Sequence, residues 1–184
     1  IIFANPHYLF YNKVRKEGYS MIPVPEKRIA EFENRAFGMF IHWGLYSSLR
    51  QGEWTLNIHK IPENKYRECF NNFTAEDFDA DKIVSLAKKA GMKYITLTTR
   101  HHDGFSLYDT RGLSNYDVMH TPCKRDLIKE FVDACNKQDM LPMFYHTTLD
   151  WIHPDFDKNF DAYLEYLKKS VEILCTHYGK IGGL

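Results

Sequence analysis

A chain of 184 residues with 44% hydrophobic and 15% aromatic content has enough apolar material for an ordinary globular core and too much for a disordered segment. Lysine plus arginine and aspartate plus glutamate both number 24, so the net charge is zero and no basic face invites nucleic acid or anionic lipid. No apolar run reaches the roughly 18 to 20 residues needed to cross a bilayer, so a soluble protein with a neutral or weakly charged ligand is expected, and no membrane or nucleic-acid partner.

The N-terminal stretch "IIFANPHYLFYNKVRK" lacks the basic-then-apolar order of a secretory signal, and residues 1–34 read as a polar, aromatic-rich lead-in. "FGMFIHWG", Phe37 to Gly44, is a short apolar run broken by glycine and predicts a first strand. A long loop follows. Thr74 with Asp77 three residues on resembles a capping box, ahead of Ile83, Leu86, Ala87 and Ala90 at helical spacing and a stop at Gly91. Asp79 and Asp81 in "DFDADK" read as part of a helix start rather than as chemistry. "YITLTT" predicts the second strand and runs into the polar loop "HHDG". "KRDLIKEFVDACNKQ" then sets Leu127, Ile128, Phe131, Val132 and Cys135 on one stripe, an amphipathic helix.

"PMFYHT" predicts the third strand, and the acidic run "HPDFDKNFD" a solvated loop and helix N-terminus. A long helix follows with Phe160, Tyr163, Leu164, Leu167, Val171, Leu174 and Tyr178 on its buried face and Gly179 as its stop. "KIGGL" opens a fourth strand. The cysteines Cys69, Cys123, Cys135 and Cys175 are widely spaced without a CxxC, and Cys135 and Cys175 fall on apolar helix faces. They read as buried free thiols in a reducing compartment, which points to the cytoplasm.

Strands alternating with amphipathic helices imply βα units and a parallel sheet. A doubly wound sheet and a (β/α)8 barrel both repeat in this way. No Gly-rich phosphate loop follows the first strand, as a doubly wound nucleotide-binding sheet would require. Instead each strand ends in unusual side chains: His42 and Trp43, then His101, His102 and Asp103, then Tyr145 and His146. In a barrel such ends converge on one mouth, so the expected fold is an α/β, TIM-like (β/α)8 barrel. A whole barrel has eight strands in about 250 residues, so residues 35–184 supply about the first half of one.

Two kinds of site compete for these residues. A metal centre could draw on His42, His101, His102 and Asp103, but successive strand residues face opposite sides, and HxH, HExxH and CxxC spacings are missing. No metal and no cofactor are therefore expected. A sugar pocket needs aromatic faces together with side chains that donate and accept hydrogen bonds. His42 beside Trp43, Glu53 beside Trp54, the His101/His102 pair and Tyr145 supply that mixture. Trp151 in "LDW" either floors a pocket or simply packs, and His120, His153 and His177 read as surface or packing residues.

The runs "FGMFIHWGLYS", "GEW", "FDADKIVSLAKKAGMKYITLTTRHHDGF", "KRDLIKEFVDACNK" and "FYHTTLDW" resemble, in order, the α-L-fucosidases of glycoside hydrolase family 29, over roughly Arg35 to Leu184. The resemblance implies a catalytic barrel, commonly followed by a β-sandwich, that removes terminal α-L-fucose from oligosaccharides or glycoconjugates with retention and without a metal. It also implies that His42, His101 and His102 hydrogen-bond the fucose hydroxyls and that Glu53 and Trp54 are the Glu-Trp pair at the sugar rim. Tyr145 is similar to the pocket tyrosine of the family's "YYS" segment, where this chain reads "FYHTT". The family's nucleophile is an aspartate in a "WFDG"-like segment after the fourth strand and its acid/base comes later, so both catalytic carboxylates are expected beyond Leu184. The alternatives are a catalytically incomplete fucose-binding fragment and a metal-dependent barrel hydrolase.

Overall fold

The computed structural model describes residues 25–184; residues 1–24, including the stretch read as lacking a secretory signal, lie outside the described residues. Helix α1 (Lys27–Arg35) falls at the end of the lead-in, where no helix is predicted. Its residues are mostly charged, none is buried, and its two large apolar side chains, Ile29 and Phe32, stay largely exposed. Phe32 still reaches the ring of Tyr94, 5.2 Å away between centroids.

Three strands, β1 (Met39–Ile41), β2 (Tyr94–Arg100) and β3 (Leu141–His146), form one parallel sheet in that order. Met39 pairs with Ile95 and Ile41 with Leu97, while Leu97 pairs with Phe144 on its other side. The first strand is shorter than the run Phe37 to Gly44 suggests. Beyond Ile41 a side chain replaces the ladder: the Trp43 N–H donates to Thr98 Oγ1 at 3.0 Å, and the Thr98 hydroxyl donates to the Trp43 carbonyl at 2.7 Å.

Between β1 and β2 the predicted long loop contains a 3-10 turn at Leu45–Leu49 and two short helices, α2 (Thr55–Ile58) and α3 (Glu63–Asn71). Both are too short for a periodic apolar stripe, and each buries one residue, Thr55 and Tyr66. Helix α4 (Ala80–Lys89) then crosses back. Its cap is Asp79, whose carboxylate accepts the Lys82 N–H at 2.9 Å, and this corrects the capping box expected at Thr74 and Asp77. The stripe it buries is Ala80, Val84 and Ala87, at i, i+4 and i+7; Leu86, predicted to be inside, is exposed.

Helix α5 (Leu127–Lys137), capped by Asp126, buries Leu127, Ile128, Phe131, Val132 and Cys135 as its pattern requires. These side chains share one core with Val84, Ala87, Ile95, Leu97 and Phe144. Each fully buried aliphatic or aromatic side chain there contributes about 1.5–3 kcal/mol relative to exposure. After β3, the loop part of the acidic run coils into a short helix α6 (Pro154–Lys158), and the run supplies the expected helix N-terminus, that of α7 (Phe160–His177), capped by Asn159. Tyr163, Ser170, Leu174 and Tyr178 are buried, but Phe160 and Leu164, expected on the same face, are exposed because no described element covers them.

Phe144 meets Tyr178 at 6.2 Å, so the long helix packs on the same face of the sheet as α4 and α5. The architecture is α/β, with a helix after each parallel strand on one face. The segment expected to open a fourth strand reaches the edge of β3, where the Gly182 N–H donates to the Pro142 carbonyl at 2.8 Å and the Phe144 N–H to the Gly183 carbonyl at 3.0 Å, but it forms no strand, and the sheet of the described residues has three. A Cβ on Gly182 would stand 2.4 Å from a side-chain methyl of Leu141, so a larger residue there would have to push that side chain aside.

All four cysteines are free thiols, with Cys123 and Cys135 buried and Cys69 partly so. Cys175 corrects the expectation of burial, since it faces outward on α7. No helix among the described residues is long and apolar enough to cross a membrane.

Candidate functional site

The face of the sheet opposite the helices collects the polar chemistry at the strands' carboxyl ends. Alternation along β1 sends Met39, Ile41 and Trp43 one way and Phe40 and His42 the other. The His42 ring lies 4.6 Å from Phe40 and 5.1 Å, edge-on, from Tyr145. On β3 the same rule puts Phe144 under the helices and Tyr145 on the open face, which settles which aromatic of "FYHTT" joins the site.

An irregularity in β2 decides the orientation of the histidines. Thr98 pairs with Tyr145, but the next partner pair is Arg100 with His146, so β2 carries one extra residue. Such a bulge inverts the alternation beyond it. Arg100 therefore turns beneath the helices, fully buried, with its Nη2 donating to the Thr147 carbonyl at 3.0 Å and to the Tyr163 hydroxyl at 3.2 Å. His101 turns into the open-face cluster. The strand ends at Arg100, so His102 is already in a turn and can point the same way as His101.

Gly104 completes that turn at φ +74°, a left-handed conformation favoured by glycine, and a Cβ there would lie 2.8 Å from an Asp150 carboxylate oxygen. The result is a ring cluster. His101 stands 4.2 Å from His102 and 5.2 Å from His42, and Tyr145 lies 5.9 Å from His101 and 6.5 Å from His102. Trp54, at the start of α2, approaches His102 at 5.2 Å. The Glu53 carboxylate beside it acts electrostatically on His102 and Tyr46.

The predicted residues His42, His101, His102, Tyr145 and Trp54 thus meet, with Glu53 at their edge. Trp43 does not. It points beneath the sheet and stacks on Phe78 at 4.9 Å and 12°, which corrects its expected place beside the sugar. Two residues join that sequence reasoning left open or passed over. The Trp151 N–H donates to the His102 carbonyl at 2.8 Å, and its indole packs 5.2 Å from both His102 and Trp54. Tyr46 lies 5.2 Å from His101; its position three residues after Trp43 carries no periodic signal, because a 3-10 turn places it.

Other polar residues of the strand ends turn away. Asp103 is buried, accepting the Tyr66 hydroxyl at 2.6 Å, so it does not converge with the histidines as a metal site would need. His146 bonds Thr99 through Nδ1 at 2.8 Å and Ser170 through Nε2 at 2.7 Å, under the helices. His153 caps α6, His120 binds Asp117, and His177 is exposed at the end of α7, all in surface or packing roles. No group of three His, Cys, Asp or Glu among the described residues is arranged to hold a metal ion.

Burial sets the electrostatics. Desolvation, followed by the neighbouring His102 and His42, pulls His101 down to about 3, so its imidazole is neutral at physiological pH. His102 is lowered too, chiefly by burial. Asp103 is pushed up to about 6 by complete burial, against the opposing hydrogen bond from Tyr66. A neutral imidazole offers one donor and one acceptor, whereas a carboxylate only accepts. Together with the Trp54 and Trp151 faces, the cluster suits an uncharged, hydroxyl-rich ligand with an apolar side. A separate cavity of about 940 Å³, lined by Met39, Ile41, Trp43, Leu97 and Phe131, opens on the helix side and includes none of these histidines.

The family model described as Alpha-L-fucosidase matches residues 20–181. Plasma alpha-L-fucosidase of Homo sapiens is 33% identical over 144 residues, which are 69% of this chain and 31% of that protein. Among solved structures, alpha-L-fucosidase isoenzyme 1 from Paenibacillus thiaminolyticus superposes with a TM-score of 0.81 at 39% identity, covering 85% of this chain and 41% of the other. An alpha-L-fucosidase from Lactobacillus casei in complex with alpha-L-fucose product gives 0.77 at 32% identity, covering 85% and 60%. The chain spans about three tenths of the length of the curated relatives it matches.

Proposed function

This chain belongs to the α-L-fucosidase family, and from that premise we propose that residues 35–184 form the sugar-binding part of a (β/α)8 catalytic barrel that releases terminal α-L-fucose from fucosylated oligosaccharides or glycoconjugates. The observation that carries this reading is the convergence of His42, His101, His102, Tyr145 and Trp54 at the carboxyl ends of parallel strands, where barrel enzymes hold their substrates. His42, His101 and His102 hydrogen-bond the sugar hydroxyls. Trp54 and Trp151 cover its apolar face, Tyr145 closes the side between His42 and His101, and Glu53 accepts a hydroxyl hydrogen at the rim.

Retaining hydrolysis requires two carboxyl groups about 5–5.5 Å apart, one attacking the anomeric carbon and one shuttling the proton. Of the carboxylates near the cluster, Asp103 is engaged by Tyr66, and Asp150 accepts the backbone N–H groups of Ile152 and His153 at 3.0 and 2.9 Å. Both are buried. Glu53 alone stays open, and one carboxylate does not make a displacement pair. These residues therefore bind and orient the sugar, and the bond-breaking pair is assigned to other parts of the barrel.

The test is hydrolysis of an aryl α-L-fucoside by a protein carrying this sequence within a complete barrel, with and without a chelator. Turnover unaffected by the chelator is expected; loss of activity restored by zinc would favour a metal-dependent hydrolase. The 184 residues alone are expected to bind L-fucose in calorimetric titration, with the signal abolished in His101→Ala, and to leave the aryl fucoside intact. Turnover by these residues alone would overturn the division between binding and cleavage.

A further inference from the structure

We propose that Thr147 is a positioning residue that fixes the tautomer of His102, holding its proton on Nδ1 so that the Nε2 lone pair faces the pocket and accepts a hydrogen bond from a ligand hydroxyl. The identity of that hydroxyl as fucose's rests on the function proposed above; the tautomer rests on hydrogen-bond geometry alone.

Thr147 is buried, and its Oγ1 has three polar neighbours: the Leu149 carbonyl at 2.9 Å, the Leu149 N–H at 3.1 Å and His102 Nδ1 at 2.5 Å. A hydroxyl has one proton to give and two lone pairs to fill. The carbonyl can only accept, so it takes the proton, and the Leu149 N–H fills one lone pair. The third neighbour must then be a donor. A bare Nδ1 could be satisfied only by drawing the hydroxyl proton away from the Leu149 carbonyl, so the arrangement that serves all three neighbours puts the hydrogen on Nδ1.

The hydroxyl is held where this matters. The Thr147 N–H donates to the Arg100 carbonyl at 3.2 Å, and its own carbonyl accepts Arg100 Nη2 at 3.0 Å, which ties Thr147 to the bulge that orients the histidines. Burial disfavours a second proton on His102, so Nε2 stays an acceptor. That nitrogen has no hydrogen-bond partner among the described residues, and its ring lies between Trp54 and Trp151, each 5.2 Å away. His146 makes the comparison. The Thr99 hydroxyl donates to the Tyr145 carbonyl at 3.0 Å and holds His146 Nδ1 in the same manner, but Ser170 already occupies His146 Nε2. His146 sits in a closed structural network, whereas His102 has the same device with its far nitrogen left for a ligand.

The test is long-range proton–nitrogen correlation NMR of the histidine rings in the ligand-free 184-residue protein at neutral pH, for wild type, Thr147→Val and Thr147→Ser, with L-fucose titrations alongside. Wild type and Thr147→Ser should carry the Nδ1–H form of His102. Thr147→Val should carry a mixture, with fucose bound about tenfold more weakly, a difference of about 1.4 kcal/mol. An Nε2–H ring in wild type, or a tautomer unmoved by Thr147→Val, overturns the proposal; should the valine variant not fold, the wild-type spectrum and the serine variant still decide the tautomer. A wild-type Nδ1–H ring with no fucose binding would overturn the sugar reading and with it the assigned ligand, while upholding the tautomer.

Discussion

The imidazoles of His101 and His102, adjacent in sequence, stand with centroids 4.2 Å apart and planes tilted by 44°. Neighbours on a regular strand project to opposite faces. Here a bulge turns the first toward the open face and the strand's end releases the second, so one short loop delivers two hydrogen-bonding rings to one place.

That proximity and burial give a pH prediction. His101 is held at about 3 in the fold against 6.5 when exposed, so the unfolded chain takes up the proton first as pH falls. Its contribution to stability is complete above about 6.5 and is lost as pH drops toward about 3. Histidine NMR should find the His101 ring silent between pH 5 and 8, about where an ordinary histidine titrates. A titration midpoint near 6.5 would contradict the assigned burial.

Gly104→Ala should destabilise the fold by about 1–3 kcal/mol, the range for a strained left-handed residue, and should also weaken fucose binding. The added methyl meets the Asp150 carboxylate, and Asp150 orders the backbone just after Trp151. Denaturant unfolding and fucose titration check the two effects; unchanged binding would separate the turn from the site.

The two tryptophans of opposite faces should behave oppositely. Trp43→Ala removes the stack on Phe78 and should cost about 3 kcal/mol of stability. Trp151→Ala should cost less stability but weaken fucose binding, because its indole faces Trp54 and His102. Chemical denaturation and calorimetry on the same pair of variants make the comparison.

Tyr66→Phe removes the hydroxyl that donates to Asp103. Asp103 sits at about 6 in the fold against 3.8 exposed, so it opposes folding increasingly as pH rises through that interval. Without the donor its pKa should climb further. The stability loss, about 1–3 kcal/mol for an unsatisfied buried group, should be larger above pH 6 than near pH 4. Melting curves at the two pH values test it.

Much of the scaffold was legible in the chain. The stripe Leu127, Ile128, Phe131, Val132 and Cys135 predicted α5 because burial on one side of a helix repeats with its turn, and the β-branched run before Arg100 predicted β2. Where local pattern is weak it misled. Thr74 and Asp77 imitate a capping box, yet Asp79 accepts the Lys82 N–H in the first turn of α4, and Leu86 and Leu164 carry apolar side chains outward. Residue type alone also singles out His42, His101, His102, Glu53, Trp54 and Tyr145, since imidazoles, rings and a carboxylate stand out in this sequence.

Composition and spacing alone determined that strands alternate with helices here and that imidazoles and aromatic rings gather at the strand ends, because hydrophobic period and residue chemistry are local properties. Direction was a tertiary matter. One extra residue in β2 exchanges the faces of Arg100 and His101, a turn frees His102, and backbone pairing brings Trp151 from far along the chain, while Trp43 next to His42 faces away. Which way a side chain points depends on register with a neighbouring strand, and that register is set by contacts between residues far apart in sequence.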